Sequence, residues 1–72
     1  MSTISWAVRL NNHFQKLGTL YTLNTVEERR GDMWTCAYKV NGEVKGQASA
    51  PTKHDAKEAA ALQALQALGV VV

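Results

Sequence analysis

Seventy-two residues with a formal net charge of +2 and 46% hydrophobic content make one domain, near the smallest size that a single core can hold together. The lone cysteine, Cys36, excludes an internal disulfide, and no Cys/His cluster has zinc-ligand spacing, so no metal and no cofactor are expected and packing must carry the fold. No apolar run approaches the roughly 20 residues that span a bilayer, and the N-terminus lacks a signal-peptide layout; the expected setting is soluble, away from membranes, in a reducing compartment, cytoplasmic or nuclear.

From Ser2 to Leu17 the residues Trp6, Leu10, Phe14 and Leu17 recur at helical spacing, which predicts an amphipathic helix ended by Gly18. Its other side carries Val8, Asn11, Asn12 and Gln15, a face of little charge whose amides both donate and accept hydrogen bonds. His13 lies beside the apolar stripe without a partner for a metal site and reads as a partly buried or surface histidine.

Aromatic and β-branched residues then predict a first strand over Tyr21 to Glu28, followed by a loop from Arg29 to Met33. Trp34, Cys36, Tyr38 and Val40 alternate with Thr35, Ala37 and Lys39, the pattern of a half-buried strand with its apolar side toward the helices. Asn41-Gly42 is a two-residue hairpin turn. The third strand, Glu43 to Ser49, is weaker, because Gly46 interrupts it and Val44 is its one large apolar residue. Lys39 and Lys45 are read as solubilising groups on the outer face, and Phe14, Trp34 and Tyr38 as core.

The last element is the clearest. Pro51, Thr52 as N-cap and Asp55 three residues later open a helix rich in Ala, Leu, Gln, Lys and Glu, and Gly69 stops it. Its alanines at 56, 59, 60, 64 and 67 give a low-relief face on which another element can lie close. Lys53, His54 and Lys57 are predicted to project from the first turn toward one side, near free backbone N–H groups. Cations there oppose the helix dipole at a cost of about 0.3 to 1 kcal/mol, which makes sense where an anion is the neighbour. The three valines after Gly69 are expected to pack on the core or the sheet edge, or to mark where a longer protein was cut.

The predicted fold is therefore α+β, in the order α-β-β-β-α, with a three-stranded antiparallel sheet covered on one face by both helices and a domain core of about residues 4–69. Lys53-His54-Asp55-Ala56-Lys57 with the alanines after it, Asn41-Gly42-Glu43-Val44-Lys45-Gly46 before it, and Leu10-Asn11-Asn12-His13-Phe14-Gln15 resemble, in order, the KKxAK signature, the turn and third strand, and the LNExxQ motif of the double-stranded RNA-binding domain. His54 stands where that family has its middle lysine, Asn12 where it has a glutamate, and Arg29-Arg30-Gly31-Asp32-Met33 is short and lacks Gly-Pro-x-His.

The resemblance implies binding of double-stranded RNA by shape. Asn11, Asn12 and Gln15 would enter one minor groove, the loop with Arg29 and Arg30 the next, and Lys53, His54 and Lys57 would meet the intervening phosphates. Two readings stay open for the arginines: phosphate contacts, or pairing with Glu27, Glu28 and Asp32 in a solvated turn. The residues hold no catalytic constellation, so the chain is read as a binding domain, accessory at most to a larger RNA-processing enzyme. The rival function is association, as a homodimer or with another protein of the same family, through the third strand, the apolar tail and Leu62, Leu65 and Leu68.

Overall fold

The computed structural model describes residues 5–18 and 21–70. Their order is α1 (Trp6–Leu17), β1 (Leu23–Arg30), β2 (Met33–Val40), β3 (Glu43–Ala50) and α2 (Lys53–Ala67). The strands form an antiparallel sheet in sequence order, with β2 central. Leu10 and Phe14 of α1, the alanines of α2, and Cys36, Tyr38 and Val40 of β2 share one core, which places both helices on one face of the sheet as predicted. The whole is a slab of 36 × 35 × 16 Å.

Each helix is set by its ends. In α1, Ser5 is the N-cap and its hydroxyl accepts from the Val8 N–H at 3.3 Å. The stripe of Trp6, Leu10, Phe14 and Leu17 faces inward, joined by Ala7; residues 2–4 of the predicted helix lie outside the described residues. In α2 the Thr52 hydroxyl accepts from the Asp55 N–H at 3.2 Å. Its other end closes as a Schellman motif: Gly69 has φ +79°, its N–H donates to Gln66, and that of Val70 donates to Leu65. Val70 thereby packs on the core, whereas Val71 and Val72 lie outside the described residues.

The first hairpin corrects the sequence reading. β1 begins and ends two residues later than Tyr21 to Glu28, and the loop over Arg29 to Met33 is instead a two-residue turn, Gly31-Asp32. The pairs Arg29↔Trp34 and Arg30↔Met33 continue the ladder to its end. Charged residues suit an edge strand such as β1, where they discourage pairing with another chain. The second turn is as predicted, with positive φ at both Asn41 and Gly42. Asn41 also holds the start of β1, accepting from the Thr22 N–H at 2.9 Å and donating its own N–H to Thr22.

α2 lies hard against β3. Ala56, Ala60, Ala61 and Ala64 are fully buried, and the absent side chain of Gly46 leaves room for the backbone of Ala60 and Ala64. β3 thus runs to Ala50 with a bulge opposite Tyr38 and Lys39, and its glycine marks a close backbone approach rather than a weak strand. Leu65 is fully buried, which removes it from the surface expected to be sticky, while Leu62 and Leu68 are partly buried and remain partly on it.

Candidate nucleic-acid interface

The two helices run parallel. Glu58, in the second turn of α2, touches the first turn of α1, while Leu65 and Val70 beyond it share a concavity with Arg9, Asn12, His13 and Lys16. The Glu58 carboxylate accepts from the Ser5 hydroxyl at 2.6 Å and from the Ala7 N–H at 2.8 Å. α1 has no acidic residue in its own first turn, so its cap anion comes from the neighbouring helix. Burial raises the Glu58 carboxyl, but the bonds from Ser5 and Ala7, the charge of His54 and the Trp6 N–H outweigh it and hold the group below the ordinary carboxylate value. Sequence reasoning missed this residue. Its signal was a helix start without an acid, answered only across 53 positions of sequence.

The three cationic candidates of α2 do not all point one way. Lys53 leans toward the sheet, its Nζ 3.2 Å from Glu27 and 5.5 Å from the centroid of the Trp34 ring. Lys57, one turn on, is half-buried and close enough for its charge to act on Cys36. His54 turns toward α1, with Nε2 3.9 Å from Glu58, and is charged only when protonated. The physical reason is helical: neighbours in sequence diverge by about 100°, so Lys53 and Lys57 share a side and His54 takes the next.

The two arginines separate as well. Arg29 pairs with Trp34 in the ladder and so stands on the helix-bearing face beside the Lys53 end of α2, its Nε donating to the Gly31 carbonyl at 3.2 Å. Arg30 stands on the opposite face, paired with Glu28 at 3.1 Å.

On α1 the amides are exposed in two sets. Asn11 and Gln15 look toward β1 over a shallow concavity with Phe14, Tyr21 and Leu23, and Asn12 lies on the other shoulder with Arg9 and Lys16. Between them the exposed Val8 crowns the ridge. Arg9 lies 5.6 Å over the Trp6 ring, and His13 is edge-on to Phe14 at 5.6 Å, in keeping with a partly buried histidine. Arg9 and Lys16 were missed, although their spacing from Asn12, three back and four on, was there to be read.

Behind this face the chemistry is quiet. Burial, aided by Glu27 and opposed by Lys57, pushes the Cys36 thiol up, away from thiolate reactivity. Tyr38 is pushed up to about 12, mainly by burial, then by Cys36, Glu58 and Glu27, with Thr25 opposing. Its hydroxyl has no partner in hydrogen-bonding geometry among the described residues. Among those residues no cluster of acids, histidines and cysteines could hold a metal ion, and no helix is long and apolar enough to cross a membrane. What remains is a set of exposed amides on α1 and cations on both helices, groups suited to a large polyanion that also bears hydroxyl groups.

Comparison with protein families gives a match over residues 7–68 to the model described as double-stranded RNA binding motif. Searches of curated proteins and of solved structures gave no match.

Proposed function

The chain belongs to the double-stranded RNA binding motif family, and from that premise we propose that it binds duplex RNA by shape, with the outward ridge of α1 in a minor groove and the first turn of α2 on the adjoining phosphates. The observation that carries this reading is that α1 and the start of α2 are parallel neighbours, joined through Glu58, on one face of the sheet. Asn12, with Asn11 and Gln15 beside it, offers donors and acceptors suited to 2′-hydroxyls, which A-form RNA displays in its wide, shallow minor groove. Lys53 and Lys57 supply fixed charge, and His54 places its imidazole on the side toward α1.

The hairpin contributes through Arg29, whose strand position puts it on the helix side. Arg30, on the far face and paired with Glu28, reaches phosphate only around the edge of β1. The tight turn makes this a smaller second contact than a long loop would give.

Association is the second reading, favoured by the outer sheet face, where Val26, Met33 and Val44 are exposed. One comparison separates the two. Lys53→Ala with Lys57→Ala is expected to weaken duplex RNA binding and make its dependence on log salt shallower by about 0.7 to 0.9 per lost phosphate contact, with oligomeric mass unchanged. Unchanged RNA binding, with a mass that responds to Val26→Thr and Val44→Thr, would favour association.

A further inference from the structure

We propose that Glu58 is the positioning residue that gives this surface its preference for RNA over DNA, by fixing α1 against the first turn of α2. The inference rests on the duplex-RNA reading above and adds to it a residue that touches no nucleic acid.

The packing between the helices explains why such a residue is needed. α2 meets the rest of the molecule mainly through alanines, with Leu65 and Leu68 toward its far end, so its first turns present a flat surface with few ridges to fix how far a neighbouring helix slides or turns. A directional bond sets that position where smooth packing leaves it soft. Glu58 makes two such bonds, at 2.6 Å to Ser5 and 2.8 Å to the Ala7 N–H, and is charge-assisted in both. The same oxygen that meets Ser5 stands 3.9 Å from His54 Nε2, so one side chain touches both the start of the groove helix and the phosphate-facing turn.

Selectivity follows from the division of labour. Cations on phosphates bind any duplex, whereas 2′-hydroxyls are read only by α1. α1 reads them only while it is seated at the moment the cations are engaged, so its offset from α2 must match the A-form groove. Loosening the offset costs RNA binding its extra contacts and leaves generic attraction intact.

Two conservative variants separate reach from charge. Glu58→Asp keeps the charge but withdraws the carboxylate by one methylene; Glu58→Gln keeps the reach, with an acceptor for the Ala7 N–H and an amide that the Ser5 hydroxyl can accept from, but loses the charge. Each is titrated with equal-length duplex RNA and duplex DNA at two salt concentrations, and its folded fraction is followed by thermal melting. Glu58→Asp is expected to lower the RNA-to-DNA affinity ratio by about five- to tenfold with DNA binding and salt slope unchanged, and Glu58→Gln to keep the ratio within about twofold of the parent. A ratio kept by both variants, kept by Asp and lost by Gln, or lost by both overturns the proposal, as does a parallel fall for RNA and DNA that tracks the melted fraction. If the parent binds no duplex RNA, the duplex-RNA reading itself fails; if it binds RNA and the ratio ignores Glu58, only this inference does.

Discussion

Replacing Gly46 with alanine would test how closely α2 is pressed on the sheet. A Cβ at that position meets the Ala60 carbonyl oxygen, lies 2.6 Å from the Ala64 nitrogen and lies 3.0 Å from the Ala64 Cβ. Ordinary contacts begin at 3.4 Å, so the Ala64 nitrogen alone must retreat by about 0.8 Å. Two of the three obstacles are helix backbone, so no rotamer change relieves them and α2 has to move as a unit. Overfilling a packed site usually costs about 1 to 3 kcal/mol, and a backbone obstacle puts this one near the upper end, about 3 kcal/mol. A domain of this length has about 4 to 11 kcal/mol of stability in all, so the loss is large. At about 4 to 8 °C per kcal/mol, Tm is expected to fall by about 12 to 24 °C in a melt followed by circular dichroism. Adding Ala64→Gly removes only the nearest methyl and is expected to restore little. A Gly46→Ala protein melting within about 3 °C of the parent would refute the close approach, and full rescue by Ala64→Gly would place the conflict at the side chain instead of the helix backbone.

Other perturbations follow from single contacts. In the proposed complex Glu27 competes with phosphate for Lys53, and because the Lys53 end of the pair is solvent-exposed while the Glu27 side chain is partly covered, the pair contributes about 1 kcal/mol; Glu27→Gln is therefore expected to tighten duplex RNA binding by about two- to fivefold, and weaker binding would count against Lys53 as a phosphate contact. Tyr38→Phe removes a buried hydroxyl that has no partner in hydrogen-bonding geometry among the described residues and is expected to raise stability by about 1 kcal/mol in urea unfolding, where a loss of that size would identify the nearby Thr25 hydroxyl as its partner. The Glu58 carboxyl is held below its ordinary value of 4.5, so it stabilises the fold above that pH and stops doing so as pH falls through its lower folded value. Melting the parent and Glu58→Gln from about pH 6 to about pH 3 is expected to show a gap that closes only at the acid end; a gap that closes above pH 5 would contradict the direction of the shift.

The elements that could be read from sequence are those whose cause is local. Thr52 with Asp55 caps α2, Gly69 ends it, the alternation from Trp34 to Val40 faces the helices, and Asn41-Gly42 turns with both residues at positive φ, all from neighbours a few positions away. The first hairpin was misplaced because a run of Glu and Arg reads as loop, whereas cross-strand pairing with Met33 and Trp34 carries the strand through it. Gly46 looked like a defect because its reason is the backbone of α2, fourteen to eighteen residues on. The candidate residues were legible as types and positions but not as directions. Lys53 bends to Glu27, His54 to Glu58 and Arg30 to the far face, each drawn by a partner or a register that spacing does not reveal. Glu58 was invisible for the same reason: both of its bonds cross from one end of the chain to the other.

The central claim, recognition of a ribose-bearing double helix by shape, is tested most directly by titrating the unmodified protein with equal-length duplex RNA, RNA–DNA hybrid, duplex DNA and single-stranded RNA at one fixed salt concentration. The expected order places duplex RNA first, the hybrid between, and duplex DNA and single-stranded RNA well below, with little dependence on base sequence. Equal affinity for the RNA and DNA duplexes would reduce the surface to generic electrostatics and contradict the claim.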